Sequence, residues 1–317
     1  MSDYFVKLFN LGTFMNQKPS LLIRADATKR MGTGHIMRCI ALAQEWIRQG
    51  GTVHFLSHCG SRKLEKKITD TGARLHRIDS FNRDGGPAGR TLELLRQIDN
   101  RAVVMDGYHF KPEYHTRIRK AGYTLLIIDD YHHLDYYDAD IILNQNLGSE
   151  KFDYRRCPGS RLLSGSRYTL FRDEFLEATR NPSEKTSTTG ILISMGGADP
   201  DNTSLKALNA VKQLKPDNIS VRVILGPNCP HADSIEKTMG SVDYSCTLII
   251  NTSRMPLHMA WADIAIAAAG STAWELLYMG VPTIFMINAD NQKHVAAAVE
   301  NARAGINAGW HEKVTPT

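Results

Sequence analysis

The feature that most constrains the fold is a transition near the start of the chain. An apolar run, Leu21-Leu22-Ile23, leads into Arg24-Ala-Asp-Ala-Thr-Lys-Arg-Met-Gly-Thr-Gly-His35-Ile-Met-Arg38, and an amphipathic run, Ile36 to Ile47, leads out. This pattern predicts a strand, a glycine-bearing loop and a helix that opens at the loop. Gly32 and Gly34 let backbone approach a ligand where a side chain would block it. His35 falls at the helix start, where unpaired N–H groups and the helix dipole favour an anion. The same position opposes protonation of an imidazole, and a neutral histidine at an anion site is a candidate general base. A histidine at a helix start can also be a cap or a satisfied surface group. Gly34 before it and Asp26 across the loop favour the functional reading.

The opening unit repeats in outline. Thr52 to Ser57, Ala102 to Met105, Leu125 to Ile128 and Ile141 to Leu143 read as short buried strands, with a charged helix near Ser61 to Asp70. Strands alternating with helices imply a parallel sheet covered on both faces. Arg180 to Thr189 is a run of polar and turn-forming residues, the best linker in the chain. The alternation then restarts, with strands at Gly190–Ser194, Val221–Leu225, Thr247–Ile250, Ile264–Ala267 and Thr283–Met286. Helices are expected at Asn202–Gln213, Ser234–Met239, Ser271–Met279 and Asn291–Ala304. The expected organisation is a leader over 1–19, an α/β domain over 20–180, a linker over 181–189 and a second α/β domain over 190–317. Two such Rossmann-like domains place a ligand in the cleft at the carboxyl ends of both sets of strands.

The 317 residues suffice for two cores, and the 42% hydrophobic content is that of an ordinary soluble protein. The formal charge of +5 is spread over scattered basic residues, which fits an acidic small ligand better than nucleic acid. Five cysteines without CxxC spacing argue against a disulfide framework or a zinc site and fit a reducing cytosol. No apolar stretch reaches the roughly 20 residues that span a bilayer. The leader carries Asp3 and Lys7 and no clear cleavage site, unlike a signal peptide.

Three glycine sites fall where strands should end: Gly32/Gly34, Met195-Gly196-Gly197-Ala198 and Ala269-Gly270-Ser271-Thr272. None matches the dinucleotide or P-loop pattern. Each alone could be a structural turn; together they suggest a phosphate-binding cleft. Ser271 and Thr272 can cap a helix and donate to phosphate. Glu275 lies one turn on, among Trp274, Leu276 and Leu277. If buried, that carboxylate needs donors such as ribose hydroxyls; otherwise it lies on the wet face of an amphipathic helix. In the first half, Asp106, Tyr108 and His109 follow one predicted strand, Asp129 to His133 the next, and Asn144-Gln-Asn146 the one after. The amides suit sugar hydroxyls or a polar turn. The Asp/His cluster lacks helical metal-ligand spacing. No GxSxG elbow supports a serine nucleophile.

In order, these motifs resemble one family, the UDP-sugar hydrolases of pseudaminic acid biosynthesis, which release UDP from UDP-2,4-diacetamido-2,4,6-trideoxy-β-L-altrose. The matching residues are Arg24-Ala-Asp26, Gly32-Thr-Gly-His-Ile-Met-Arg38, Asp106-Gly-Tyr108, Ile128-Asp-Asp130, Leu143-Asn-Gln-Asn146, Tyr168 to Glu174, Met195 to Asp199, Ala269 to Glu275 and Asn291-Gln292. The resemblance spans Leu21 to Gly309. It implies a two-domain fold similar to the GT-B glycosyltransferases, cytosolic, with no metal and no cofactor. It implies that His35 activates water, that Tyr108 stands near the attacked carbon with Asp106 a further catalytic residue, and that Gly270, Ser271 and Thr272 face the diphosphate while Glu275 holds the ribose. Arg24, Asp26, Gly34, Arg38, Asn144, Asn146, Gly196, Gly197, Asn291 and Gln292 complete the expected UDP-sugar contacts. Chains of this kind usually continue with a further helix, so the second half is expected to be truncated. Two rivals stay open: a GT-B glycosyltransferase that uses an acceptor in place of water, and a non-catalytic UDP-sugar-binding protein.

Overall fold

A computed structural model describes residues 19–28, 31–78, 88–98, 100–178, 187–214, 217–226 and 229–315. The expected leader, apart from Pro19, the core of the linker at 181–186 and the last two residues lie outside them. The contacts divide the chain into two compact units. One comprises residues up to Thr28 and His35–Arg172, the other Lys29–Gly34 and Asp173–Thr317.

The first unit carries β1 (Ser20–Ala25), α1 (Gly34–Arg48), β2 (Thr52–Ser57), α2 (Arg62–Asp70), β3 (Arg74–Arg77), α3 (Gly89–Gln97), β4 (Asn100–Asp106), α4 (Pro112–Lys120), β5 (Thr124–Ile128), β6 (Ile141–Asn144) and β7 (Arg161–Ser164). Its seven strands pair in the order β3-β2-β1-β4-β5-β6-β7, parallel throughout. Strand side chains alternate between faces, and both faces are covered. Leu21, Ile23 and Ala25 pack with Ile36, Cys39, Ile40 and Ala43 of α1. Leu22 packs on the other side with Val103, Met105, Phe110 and Ile118. Burial on both sides is why these strands read as unbroken apolar runs.

The second unit opens with the one-turn helix α5 (Asp173–Leu176). It continues with β8 (Thr189–Ser194), α6 (Thr203–Leu214), β9 (Ile219–Leu225), α7 (Ala232–Met239), β10 (Ser245–Ile250), α8 (Met255–Trp261), β11 (Ile264–Ala268), α9 (Ser271–Tyr278), β12 (Thr283–Ile287), α10 (Lys293–Asn301) and β13 (Ile306–Trp310). Its six strands run β10-β9-β8-β11-β12-β13, again parallel. Ile193, Val221, Val223 and Leu208 are fully buried in its core.

In each sheet the strand order reverses once, between β1 and β4 and between β8 and β11. Loops diverge at such a point and leave room at the carboxyl ends of the strands. Ala25 and Asp106, the last residues of β1 and β4, are direct neighbours across the first reversal. Among the described residues no helix is long and apolar enough to cross a membrane.

Candidate active site

The carboxyl ends of β1, β4, β5 and β6 bring five of the expected residues into one network: His35, Arg38, Asp106, Tyr108 and Asn146. Residues 35 and 38 are one turn apart on α1 and so share a face. That face meets Asp106 at the end of β4. His35 Nδ1 lies 2.6 Å from Asp106 Oδ1. Arg38 grips the same carboxylate from two nitrogens, Nε at 2.5 Å from Oδ2 and Nη2 at 2.6 Å from Oδ1. Its Nη1 reaches Asp130 Oδ1 at 2.5 Å. Asp130 Oδ2 accepts the Tyr108 hydroxyl, and its backbone carbonyl accepts Asn146 Nδ2 at 2.9 Å. The Tyr108 ring stands edge-on to His35, with centroids 4.7 Å apart.

These are buried ions, and they stay ionised because they satisfy one another. Burial alone would raise the Asp106 carboxyl, but Arg38 and His35 outweigh it and hold it far below the usual carboxylate range. Burial opposes charge on Arg38 too, and Asp106 and Asp130 overcome it. Burial and the Asp130 charge push the Tyr108 hydroxyl far up, so it stays a neutral phenol. Burial and Asp106 likewise keep the Cys39 thiol protonated. Arg38 Nη2, which can only donate, also lies 3.2 Å from His35 Nδ1. The shorter 2.6 Å contact is to a carboxylate, which can only accept, and it assigns the proton of a neutral His35 to Nδ1. That leaves the lone pair on Nε2, which has no hydrogen-bond partner among the described residues. A histidine held in one tautomer by a carboxylate, with its other nitrogen open, is built to take a proton from water or a hydroxyl.

Asp26, expected across the loop from His35, belongs to a second cluster. Its Oδ1 takes Arg24 Nη1 at 2.5 Å and the His58 amide at 2.6 Å. His109 Nε2 lies 2.9 Å from its Oδ2. Arg24 also lies over the Phe110 ring. The partner of His35 is Asp106 instead, 71 residues on. Asn144 is fully buried, and both ends of its amide are engaged: Nδ2 donates to the Tyr154 hydroxyl and Oδ1 accepts the Asn146 amide. Asp129 anchors its own loop, accepting Asp130 N at 2.8 Å, His132 N at 3.0 Å, the Tyr137 hydroxyl at 2.7 Å and His133 Nδ1 at 2.8 Å. Asp130 joins the network though sequence reasoning assigned it no site role; it lay within the Asp129 to His133 cluster and the matching segment Ile128-Asp-Asp130, just past β5.

In the second unit the expected residues again follow strand ends. Gly196 adopts φ +87°, a conformation that favours glycine. The carbonyl of Gly197 would lie 2.2 Å from a Cβ on Gly226, at the end of β9, so two backbones meet where no side chain fits. The helix after this loop starts only at Thr203, and its first amides are taken: Thr203 N and Ser204 N donate to Asp199 at 2.7 and 2.9 Å. The second glycine site is therefore capped by the chain's own carboxylate. The third differs. Gly270 itself is the N-cap of α9, with no side-chain cap, so Ser271 and Thr272 form the first turn instead of capping it. Ser271, Thr272 and Glu275 are half-buried while Ala273, Trp274 and Leu276 are buried, which puts the three polar residues on one face. Asn291 and Gln292 lie in a short 3-10 turn; Gln292 Oε1 accepts the Asn288 amide at 2.8 Å, and its Nε2 is 3.6 Å from where a Gly270 Cβ would be. Gly34 is the first residue of α1. Among the described residues no group of three or more His, Cys, Asp or Glu side chains is arranged to hold a metal ion.

Residues 191–315 match the glycosyltransferase family 28 C-terminal domain. The chain is 25% identical over 281 residues to an uncharacterized protein of Methanocaldococcus jannaschii, covering 86% of this chain and 56% of that one; it spans little more than half of that relative. It is 25% identical to the spore coat polysaccharide biosynthesis protein SpsG of Bacillus subtilis, over 92% of this chain and 84% of that one. It is 24% identical to the UDP-2,4-diacetamido-2,4,6-trideoxy-beta-L-altropyranose hydrolase of Campylobacter jejuni, over 62% of this chain and 66% of that one. Among solved structures it superposes on MurG of Acinetobacter baumannii with TM-score 0.63 at 15% identity, covering 95% and 88% of the two chains. The spinosyn rhamnosyltransferase SpnG complexed with thymidine diphosphate gives 0.60 at 15% identity, covering 91% and 85%. The chain has the fold of the GT-B glycosyltransferases: two parallel α/β units in succession.

Proposed function

We propose that this protein is an enzyme of nucleotide-sugar chemistry that hydrolyses a UDP-linked diacetamido-trideoxy sugar, releasing UDP and the free sugar without a metal. One observation carries the reading: His35 is held by the Asp106 carboxylate through Nδ1, with Nε2 open. In this mechanism Nε2 takes a proton from water as its oxygen attacks the anomeric carbon. The bond from that carbon to the β-phosphate oxygen breaks, and the electron pair leaves with UDP. Asp106 fixes the tautomer and favours the imidazolium as it forms. Tyr108, a neutral phenol beside the His35 ring, lines the sugar position. On the second unit the start of α9 and the Ser271 and Thr272 hydroxyls meet the diphosphate, and charge growing there during bond breaking is stabilised by the helix terminus. Glu275, one turn on, accepts from the ribose hydroxyls. Similarity to the Campylobacter jejuni hydrolase supports this substrate class.

A transferase reading is favoured by a different observation, the match of residues 191–315 to a glycosyltransferase domain. It differs in one reactant, since a hydroxyl acceptor replaces water. A shared fold does not separate the two. Incubation with a UDP-linked diacetamido-trideoxy sugar and no acceptor separates them. Hydrolysis releases UDP and free sugar, identified by NMR, and in H₂¹⁸O the label enters the sugar's anomeric oxygen. Binding without UDP release until an acceptor is added would establish the transferase. Label in UDP would mean attack at phosphorus and would rule out water attack at the anomeric carbon.

A further inference from the structure

The Arg38 guanidinium is shared. It bonds Asp106 through Nε and Nη2 and Asp130 through Nη1. Asp106 is completely buried and the Asp130 side chain is 11% exposed. Two carboxylates against one guanidinium leave one negative charge in excess beside a neutral His35. Were Asp130 uncharged, Arg38 alone would balance Asp106, and His35 would face a pair with no net charge. Asp130 is itself held in place: Asn146 Nδ2 bonds its backbone carbonyl at 2.9 Å and lies 3.3 Å from its Oδ1, and Asp129 accepts its amide at 2.8 Å. Its remaining oxygen takes the Tyr108 hydroxyl, so the carboxylate that shares Arg38 also sets the rotation of Tyr108.

We propose that Asp130 is a positioning residue of this site, fixing Tyr108 directly and, through Arg38, leaving Asp106 the charge with which it holds and supports protonation of His35. The inference rests on the reading of His35 as the base.

The Arg38 guanidinium itself lies 3.2 Å from His35 Nδ1 and opposes its protonation, and the other groups around His35 do not supply the negative charge. Cys39, on the same helix, approaches Asp106 as a neutral thiol at 3.6 Å. Tyr108 is a neutral phenol. Asp129 is engaged by its own loop and by His133. Arg24 and Asp26, at the end of β1, pair with each other. Asp130 is thus the carboxylate joined to the His35–Asp106 pair through a single shared cation.

The test is the Asp130→Asn variant, which keeps the shape of the side chain and removes its charge. The pH at which His35 takes up a proton is read by NMR of the ring-labelled free protein, with no substrate present. Loss of one nearby negative charge makes protonation harder, so that midpoint falls by about half a unit to one unit at low salt. If the protein is active on a UDP-sugar, kcat falls with KM little changed, and the acid limb of the rate profile moves to lower pH with the midpoint. Asp130→Glu restores both. Tyr108→Phe, which keeps the ring against His35, is the second variant in case Asp130→Asn does not fold. Without the hydroxyl donor, more of the Asp130 charge falls on Arg38, so the His35 midpoint rises or stays. A midpoint unchanged in folded Asp130→Asn, or lowered in Tyr108→Phe, overturns the inference. Because the NMR measurement needs no turnover, an inactive protein with a shifted midpoint would count against the functional reading and leave the role of Asp130 standing.

Discussion

The two units share a sheet plan but build their strand ends from different material. In the first, ionic side chains turn toward each other under near-complete burial. His35, Arg38, Asp106 and Asp130 hydrogen-bond one another, and one imidazole nitrogen remains open. In the second, the corresponding positions are glycine, serine, threonine and half-buried Glu275. A buried ionic network holds a reactive group in one orientation and one tautomer. Backbone amides and small side chains suit a ligand that brings its own charge. Under the proposed reaction, the difference would divide bond breaking in the first unit from nucleotide holding in the second.

That division is broken most directly at His35. His35→Ala is expected to lower kcat by about 10²–10⁴-fold, the usual contribution of acid–base catalysis. UDP affinity, measured by calorimetry, should stay near that of the parent. A variant that keeps near-normal turnover, or that loses UDP instead, would erase the contrast between the units.

Acid should distinguish them next. Burial, helped by neighbouring His133, lowers His115 in the first unit to about 4, and burial with His76 and Arg74 nearby lowers His54 to about 4. An unfolded chain takes up these protons near 6.5. The stabilisation from a neutral buried histidine is therefore complete above pH 6.5 and is lost as pH falls toward 4. For His115 the loss is on the order of 3 kcal/mol once pH lies below 4, at 1.36 kcal/mol per unit. Hydrogen exchange should show protection in α4 and β5 declining between pH 6.5 and 4, less so in His115→Gln. Identical decline in both proteins would show that His115 does not drive it.

Glu275→Ala should reverse the His35 pattern, with UDP binding weakened and the fold intact. Loss of a hydrogen bond to a charged group costs about 1.5–3 kcal/mol, at least tenfold in affinity. Unchanged affinity in a folded variant would return Glu275 to the wet face of its helix. The smallest effect is expected at Asp199. Removing its cap with Asp199→Ala should cost about 1 kcal/mol in denaturant unfolding, while UDP affinity holds if the nucleotide uses α9 instead.

The strands buried on both faces were legible because each is a short apolar run between turn residues. β3 and β7 were not: both are edge strands, Arg74–Arg77 with charged exposed ends around a half-buried centre and Arg161–Ser164 with only Leu162 and Leu163 between an exposed arginine and a serine, too short an apolar run to stand out. In the site, His35, Asp106 and Tyr108 stood out by following strands. Their pairing did not, because residues 71 apart in sequence meet only through the register of β1 beside β4. Asp129 and Asp130 look alike in the chain, yet one anchors its loop and the other shares Arg38; backbone direction, set by tertiary packing, decides between them. Asn144 resembled a sugar contact until burial showed its amide occupied. Asp199, four residues before the first helical residue, left a capping pattern in Asp199-Pro-Asp-Asn-Thr-Ser204 that the neighbouring glycines overshadowed.

The Asp199 carboxylate acts as an anion that the chain supplies to itself. Being tethered, it meets the start of α6 at an effective concentration that dissolved anions at millimolar levels do not match. Inorganic phosphate or sulfate in the surrounding solution finds that helix start already filled. Removing the tethered carboxylate in Asp199→Ala should open that helix start, so phosphate should then stabilise the variant in denaturant unfolding more than it stabilises the parent.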